Sequence, residues 1–231
     1  IMKDEKYDIV HCHTPVGGIL ARLAGRKFRK DGLRMIYTAH GFHFYDGAPK
    51  KNWIIYYPIE KIMAKFTDVT ITITEEDYKL AKERKFKGNI HHVHGVGVNT
   101  DKFVKLSEED RQKLRLDKGY TDEFIILCTG ELNKNKNQAT LIKTMKDVVK
   151  KHPEAKLLLA GNGPEHDNLV KLIEELNLGD NVKLLGYRTD IQDYVNICDL
   201  VVSASYREGL PLNIMEAMIC GKPVIAMNIP E

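Results

Sequence analysis

Two glutamates, Glu208 and Glu216, stand on either side of a Gly209-Leu210-Pro211 turn in this 231-residue chain. The apolar run 200–204 ahead of them reads as a strand, and residues 211–220 read as a helix. The first N–H groups of a helix have no intrahelical partner, so such a junction favours a phosphate. Carboxylates beside an anion site are repelled by it unless they accept hydrogen bonds from neutral hydroxyls. A carboxylate suits a vicinal diol, because it offers two acceptor oxygens. A ligand with phosphates in its middle and hydroxyls at both ends meets these demands, and a nucleotide-sugar is such a ligand.

A second strand, turn and helix start runs from Thr129-Gly130-Glu131-Leu132 through Lys134 and Lys136 to Asn137-Gln138. Its lysines could neutralise a diphosphate, whereas a buried Glu131 there would oppose one. Gly161-Asn162-Gly163-Pro164 reads as turn geometry. Seven of the nine histidines precede residue 95, and the spacings His11-x-His13 and His92-x-His94 put each pair on one face of a strand. No Asp or Glu at ligand spacing accompanies them, so a metal site has little support.

The string Ser205-x-x-Glu208-Gly209-Leu210-Pro211, closed by Glu216, resembles the Glu-seven-residues-Glu signature of retaining glycosyltransferases of family 4, which have the GT-B fold. The resemblance implies that Glu216 accepts from the ribose hydroxyls of the donor and that Glu208 binds the transferred sugar. It implies that the backbone from Gly209 through Leu210 and Pro211 to Leu212 holds the distal phosphate and sugar. Gly130-Glu131-Leu132-x-x-x-Lys136-Asn137 resembles the family's Gly-Arg-Leu-x-x-x-Lys-Gly element, with Lys136 in the lysine place, Glu131 in the arginine place and Asn137 in the place of the final glycine. Two ways to offset Glu131 stay open: Lys134 compensates, or Glu131 pairs with a cation outside this chain. Val182 to Arg188, with Leu185, Tyr187 and Arg188, resembles the strand and turn whose backbone reads the nucleotide base. His40, in Thr38-Ala39-His40-Gly41-Phe42, matches a histidine that reaches the transferred sugar across the interdomain cleft. Gly47-Ala48-Pro49, Tyr57-Pro58-Ile59-Glu60 and Glu75-Glu76-Asp77-Tyr78 make the wider string similar to bacterial capsular and exopolysaccharide glycosyltransferases.

These likenesses imply a UDP-sugar donor, retention of anomeric configuration and front-face attack, with the leaving phosphate taking the acceptor proton. Glu208, His40 and Lys136 are the residues closest to transfer, and neither a cofactor nor a metal is expected. The acceptor implied is a saccharide or lipid-linked saccharide at the inner membrane face, which places the protein in the cytoplasm with peripheral membrane contact. Two alternatives stay open, a sugar-nucleotide epimerase of the same fold and a non-catalytic donor-binding partner, the latter kept alive by Glu131.

The elements that must position these residues follow an alternating pattern. Strand candidates fall at residues 7–13, 35–40, 69–74, 90–94, 124–129, 156–160, 182–185, 200–204 and 223–227, and helical candidates at 17–29, 53–66, 75–86, 138–151, 165–176 and 191–198. The alternation argues for βα units and parallel sheets, and Ser107-Glu108-Glu109-Asp110 reads as a further helix start. The fold class expected is therefore α/β, a GT-B arrangement of two Rossmann-like domains, both incomplete. Gly95-Val96-Gly97-Val98-Asn99-Thr100-Asp101-Lys102-Phe103 resembles the family's interdomain crossing, with Asn99 in an aspartate place. A partial acceptor-side domain, 1–98, and a nucleotide-sugar domain, 99–231, are expected. Ile1 and the closing Asn228-Ile229-Pro230-Glu231 read as cut ends of a larger enzyme.

Composition excludes several classes. The net charge of +3 is too small to argue for nucleic acid, and no apolar run approaches the roughly 18 residues of a membrane span. Cys12, Cys128, Cys198 and Cys220 are scattered and read as reduced core residues. Between Arg22 and Lys65, ten Lys/Arg face three Asp/Glu, interleaved with Phe28, Phe42, Phe44, Trp53, Tyr56 and Tyr57. Two readings stay open for this stretch, solvated helix faces over an ordinary core or a basic, aromatic surface resting on an anionic leaflet.

Overall fold

A computed structural model of the chain describes residues 5–229, so Ile1, Pro230 and Glu231, which figure in the expectation of cut ends, lie outside the described residues. Its contacts divide the chain between Val96 and Gly97 into two units.

The first unit is a four-stranded sheet of β1 (Ile9–His13), β2 (Arg34–Ala39), β3 (Val69–Thr72) and β4 (Asn89–His92), all parallel and in the order β1-β2-β3-β4. Helices α1 (Pro15–Gly25), α2 (Lys50–Met63) and α3 (Glu75–Glu83) make the connections. Helix α3 starts where Thr74 accepts a hydrogen bond from the Asp77 N–H at 3.2 Å, with Glu75, Glu76 and Asp77 at its positive end. It stops short of the expected residue 86 because Lys85 turns left-handed at φ +51°. The expected helix 17–29 ends at Gly25, and a separate 3₁₀ turn, Phe28–Asp31, follows it.

The core of this unit settles part of the reading of its aromatics. Phe42 and Phe44 are fully buried and stacked at 4.8 Å, Trp53 and Tyr57 pack on them, and Phe28 lies against the same cluster. These rings form the core and not a surface; of the six, Tyr56 alone ranks as exposed. Beneath them Arg22, in α1, forms a buried pair with Glu60, in α2.

The second unit has five parallel strands, β5 (Phe124–Thr129), β6 (Ala155–Ala160), β7 (Val182–Gly186), β8 (Leu200–Ser203) and β9 (Val224–Ala226), in the order β7-β6-β5-β8-β9. Its helices are α4 (Glu108–Asp117), α5 (Gln138–Lys151), α6 (His166–Glu175), α7 (Ile191–Ile197) and α8 (Leu212–Ile219). The all-apolar strands are explained by two cores. In β5, Ile125 and Leu127 join one cluster with α7 and α8 residues, while Ile126 and Cys128 join another with α5 and α6 residues. All four cysteines of the chain are buried and free, and burial pushes the Cys128 and Cys198 thiols up to about 12.

Strand β5 pairs with β6 on one side and β8 on the other. The chain moves outward from β5 to β7 and then crosses back to β8, so the β5/β8 boundary is the topological switch point. Ligands of open α/β sheets bind beyond the carboxyl ends of the strands at that point. Both segments expected to carry the chemistry, 130–137 and 204–211, leave the sheet there.

Candidate active site

The 130–137 loop lies on a shelf made by the Gly161-Asn162-Gly163-Pro164 turn. Gly130 N–H donates to Ala160 O at 3.0 Å, Leu132 N–H to Asn162 O at 2.9 Å, and Glu165 N–H back to Leu132 O at 3.0 Å. A Cβ on Gly161 would stand 1.9 Å from Gly130 O, and one on Gly163 would stand 2.3 Å from Leu132 O. The two glycines therefore do more than turn the chain, because they let two backbones touch. This close approach was not legible from Gly-x-Gly-Pro alone.

Three alternate asparagines shape the loop, and two of them tie it to the segment after β8. Asn133 Oδ1 accepts from the Lys136 N–H at 2.9 Å, a local side-chain bond that closes the turn. Asn135 donates from Nδ2 to Arg207 O and accepts the Tyr206 N–H, both at 2.8 Å, and Asn137 Nδ2 donates to Ala204 O at 3.2 Å. Asn137 itself sits at φ +53°, ψ +39°. Asparagine is among the few side-chain-bearing residues that tolerate this left-handed geometry, so its replacement of the family glycine is absorbed locally. The sequence reading gave Asn133 and Asn135 no role and Asn137 only the place of a family glycine; their alternate spacing before a helix start was the available signal.

The charged groups are arranged around this frame. Lys136 Nζ meets Glu208 Oε1 at 2.5 Å, both side chains being mostly covered, so the structure brings these two expected residues together. Lys134 is exposed. Glu131 is also exposed and accepts from Asn133 Nδ2 at 2.8 Å, which corrects the picture of a buried carboxylate.

Helix α8 starts without a side-chain cap. Its first internal bonds run from Ile214 and Met215 N–H to Pro211 O, which leaves the Leu212 and Asn213 N–H groups ahead of the ladder. Pro211 has no N–H, so it contributes no donor to the expected Gly209–Leu212 cradle; Gly209 and Leu210 precede it, exposed and half-buried. Asn213 Nδ2 donates to Thr129 O at 3.1 Å and fixes the helix start against the end of β5, a role the sequence did not suggest. Glu216 lies in the second turn. Burial raises its carboxyl above the ordinary value, while Lys102 acts in the opposite sense. Among the described residues, no hydrogen bond or ion pair engages this carboxylate.

The base-reading candidates lie at the end of β7. Leu185 is half-buried and Tyr187 is exposed. The Arg188 guanidinium is committed to Asp190 through bonds of 2.8 and 2.7 Å, so its side chain is a strut of the turn, and any contact with a base falls to the backbone there. Arg188, with Lys118 behind it, holds the Asp190 carboxyl well below the usual range.

In the first unit His40 follows β2. Its Nε2 lies 3.0 Å from His13 Nδ1, and the His13 ring stacks on His11 at 4.3 Å. His11 Nε2 contacts Thr38 Oγ1 at 2.8 Å; partial burial lowers its pKa, with His13 and His40 adding to the effect. Between His13 and Pro15, Thr14 holds φ +63°, an uncommon geometry for a β-branched residue and one that marks strain at this strand end. His94 lies beyond β4, 4.8 Å from the His92 ring. Among the described residues no cluster of three or more His, Cys, Asp or Glu could hold a metal ion.

Comparison with known proteins gives this geometry a context. A family model described as glycosyl transferases group 1 matches residues 107–231, and one described as glycosyltransferase family 4 matches residues 1–102. The chain is 45% identical over 225 residues to a glycosyltransferase of Bacillus subtilis called EpsD, covering 96% of this chain and 59% of that protein. It is 29% identical over 233 residues to the UDP-Gal:alpha-D-GlcNAc-diphosphoundecaprenol alpha-1,3-galactosyltransferase of Escherichia coli, covering 99% of this chain and 60% of that enzyme. The chain thus spans about 60% of the length of these curated relatives. Its fold is similar to the crystal structure of HepE of Anabaena in complex with UDP and glucose, with a TM-score of 0.81 at 24% identity over 99% of this chain and 61% of that one.

Proposed function

The chain belongs to the glycosyltransferases of family 4, with two parallel sheets of the GT-B fold, and from that premise we propose that its protein transfers a sugar from a UDP-sugar to a lipid-linked saccharide in cell-surface polysaccharide synthesis, with retention of configuration. One observation carries the reading. The half-buried Glu216 carboxylate, free of protein partners, follows the uncapped start of α8, where the Lys136–Glu208 pair stands across the same switch point. Two acceptor oxygens for a ribose diol, helix amides for a phosphate and a lysine for the diphosphate form one continuous donor site. The relatives bear on the substrates: the Escherichia coli enzyme is named for UDP-Gal and a diphosphoundecaprenol-linked acceptor.

The chemistry follows from these groups. Lys136 and the N–H groups of Gly209, Leu210, Leu212 and Asn213 stabilise charge on the departing diphosphate, which also takes the acceptor proton. A diphosphate beside Lys136 competes with Glu208 for its ammonium, and Glu208, once released, accepts from hydroxyls of the transferred sugar. In the first unit His40, in hydrogen-bond contact with His13, is the expected positioning group. Leu185 and the backbone of Tyr187 and Arg188 meet the base. Neither a metal nor a cofactor has a step in this scheme. The exposed position of Glu131, bonded to Asn133, favours transfer over a non-catalytic donor-binding protein.

Titration of the full-length protein with UDP-, GDP- and ADP-sugars tests the donor, and transfer to a lipid-linked acceptor tests the reaction. Glu208→Ala is expected to reduce transfer by about a hundredfold, in the range seen when one transition-state contact is removed. Full transfer by that variant would overturn the site, and UDP binding without transfer by the wild type would overturn the reaction.

A further inference from the structure

The basic stretch between Arg22 and Lys65 is arranged differently from its sequence pattern. Its aromatics are inside, and three of its cations are engaged internally, Arg22 with Glu60 and Arg29 and Arg34 with Asp68. The outer surface is instead aliphatic. Lys51, Ile54, Ile55, Pro58, Ile62 and Lys65 recur on α2 and its 3₁₀ extension at spacings of three, one, three, four and three residues, which keeps them on one helical stripe, and all are exposed. Ile54 is 74% exposed, Ile55 52% and Ile62 49%, and Leu20 on α1 is 64% exposed. Large aliphatics placed singly need no explanation, but four on adjoining helices are a patch.

Two features hold the patch in place. The Arg22 guanidinium reaches Glu60 at 2.9 and 3.2 Å, and Tyr37 OH donates to Glu60 at 3.3 Å, so α1, α2 and the sheet are locked together. The inward commitment of Glu60 also leaves no exposed carboxylate on either helix: α1 has none in its sequence, and Glu60 is the only one in α2. Exposed Arg26, Lys27, Lys50, Lys51 and Lys65 surround the aliphatic residues. At the far end of α2, Lys61 is crowded by Lys85, Lys87 and Arg84; burial and these like charges lower its pKa.

We propose that the outer face of α1 and α2, with Leu20, Ile54, Ile55 and Ile62 inserted and Lys51 and Lys65 at the headgroups, docks this unit on an anionic lipid bilayer. Charge complementarity selects that partner. Aliphatic side chains enter the headgroup–acyl boundary while lysine stems extend their ammonium groups to lipid phosphates. An antiparallel pairing of two such faces would instead bring Lys51 toward Lys65 of the second copy. The inference rests on the lipid-linked acceptor reading for its choice of partner, but its test uses no transfer reaction.

The test is co-sedimentation of the full-length protein with phosphatidylcholine vesicles prepared with and without phosphatidylglycerol. Binding is expected only with phosphatidylglycerol and is expected to weaken with salt. Ile54→Asp/Ile62→Asp, at exposed sites outside the core, should reduce the partition coefficient at least about tenfold. Lys51→Gln and Lys65→Gln should each reduce it about fivefold. The melting temperature and UDP-sugar affinity should remain those of the wild type. No binding by the wild type, or unchanged binding by the aspartate variant, overturns the proposal. So does a wild-type dimer that the aspartate variant dissolves, since the face would then belong to a second copy. Vesicle binding without UDP-sugar binding would count against the donor site and leave this proposal intact.

Discussion

Arg22–Glu60 in the first unit and Lys136–Glu208 in the second each join an acid and a base far apart in sequence, yet their surroundings differ. Arg22 is 1% exposed and forms a two-point fork with Glu60; its Nε–H donates to Gly18 O at 2.9 Å and its guanidinium lies 3.9 Å over the Tyr37 ring. Lys136 makes a single contact, both partners keep roughly a fifth of their side chains open to solvent, and among the described residues the second Glu208 oxygen has no protein partner. A planar guanidinium held by several fixed partners is built to stay, whereas an ammonium on a flexible stem can change partners. The contrast fits a structural pair in the first unit and, under the proposed donor site, an exchangeable one in the second.

The largest effect comes from breaking the first pair. Arg22→Met leaves Glu60 buried without its partner and should cost about 3–5 kcal/mol, while Arg22→Met with Glu60→Leu should recover most of that, as apolar replacement of a buried pair usually does. Urea unfolding followed through Trp53, the only tryptophan and a neighbour of this core, measures both. A single variant within about 1 kcal/mol of the wild type would put Arg22–Glu60 in the same class as the exposed pairs.

Glu216 sharpens the comparison, because it is a partly covered acid without a protein partner. Glu216→Gln should weaken UDP-sugar binding by about ten- to a hundredfold, the range for hydrogen bonds to a charged group, without loss of stability. The sign of the pH effect follows from its raised pKa. Folding favours the protonated form, so this contribution to stability is present at low pH and is lost as pH rises through the folded-state pKa. Donor affinity should change oppositely, falling as acidification protonates the diol acceptor. Calorimetric titration from neutral pH downward, in wild type and Glu216→Gln, would reject this role if both lost affinity in parallel.

The contrast also separates what was legible in the sequence from what was not. Glu208, Glu216 and Lys136 were visible because their chemistry is tied to short local patterns at strand-to-helix turns. The central strands of the second sheet were visible because a buried parallel strand is apolar on both faces, as Ile125 to Cys128 shows, whereas more polar strands such as β1 and β4 were visible only by their place in the alternation. The orientation of aromatics and cations was not, since a basic segment rich in Phe and Trp has the same composition whether its rings face the core or the solvent. Only packing turns Phe44 and Trp53 inward and Ile54 outward. The commitment of Arg188 to Asp190 and the exposure of Glu131 depend likewise on tertiary neighbours.

A double-mutant cycle on Lys136 and Glu208 gives the next effect in size. For a pair this open to solvent, the coupling in thermal or urea unfolding should be about 1 kcal/mol or less. If the pair exchanges partners with the donor, saturating UDP should reduce the apparent coupling, because the diphosphate then holds Lys136. Coupling of several kcal/mol, unchanged by UDP, would make this pair structural and erase the distinction from Arg22–Glu60.

The smallest effect concerns the loop that carries Lys136. Asn137 holds a left-handed backbone geometry, and its side chain donates to Ala204 O and accepts from the exposed Thr140 hydroxyl. Asn137→Gly keeps the geometry and loses these two side-chain bonds, so stability should change by about 0.5 kcal/mol, whereas Asn137→Ala adds strain to the same loss and should cost about 1 kcal/mol or more. Donor affinity should follow the same order, since Lys136 is displaced only when the turn is strained. Equal losses in Gly and Ala variants would assign the effect to the lost side-chain bonds, and the loop would then depend on its side-chain ties more than on its own backbone.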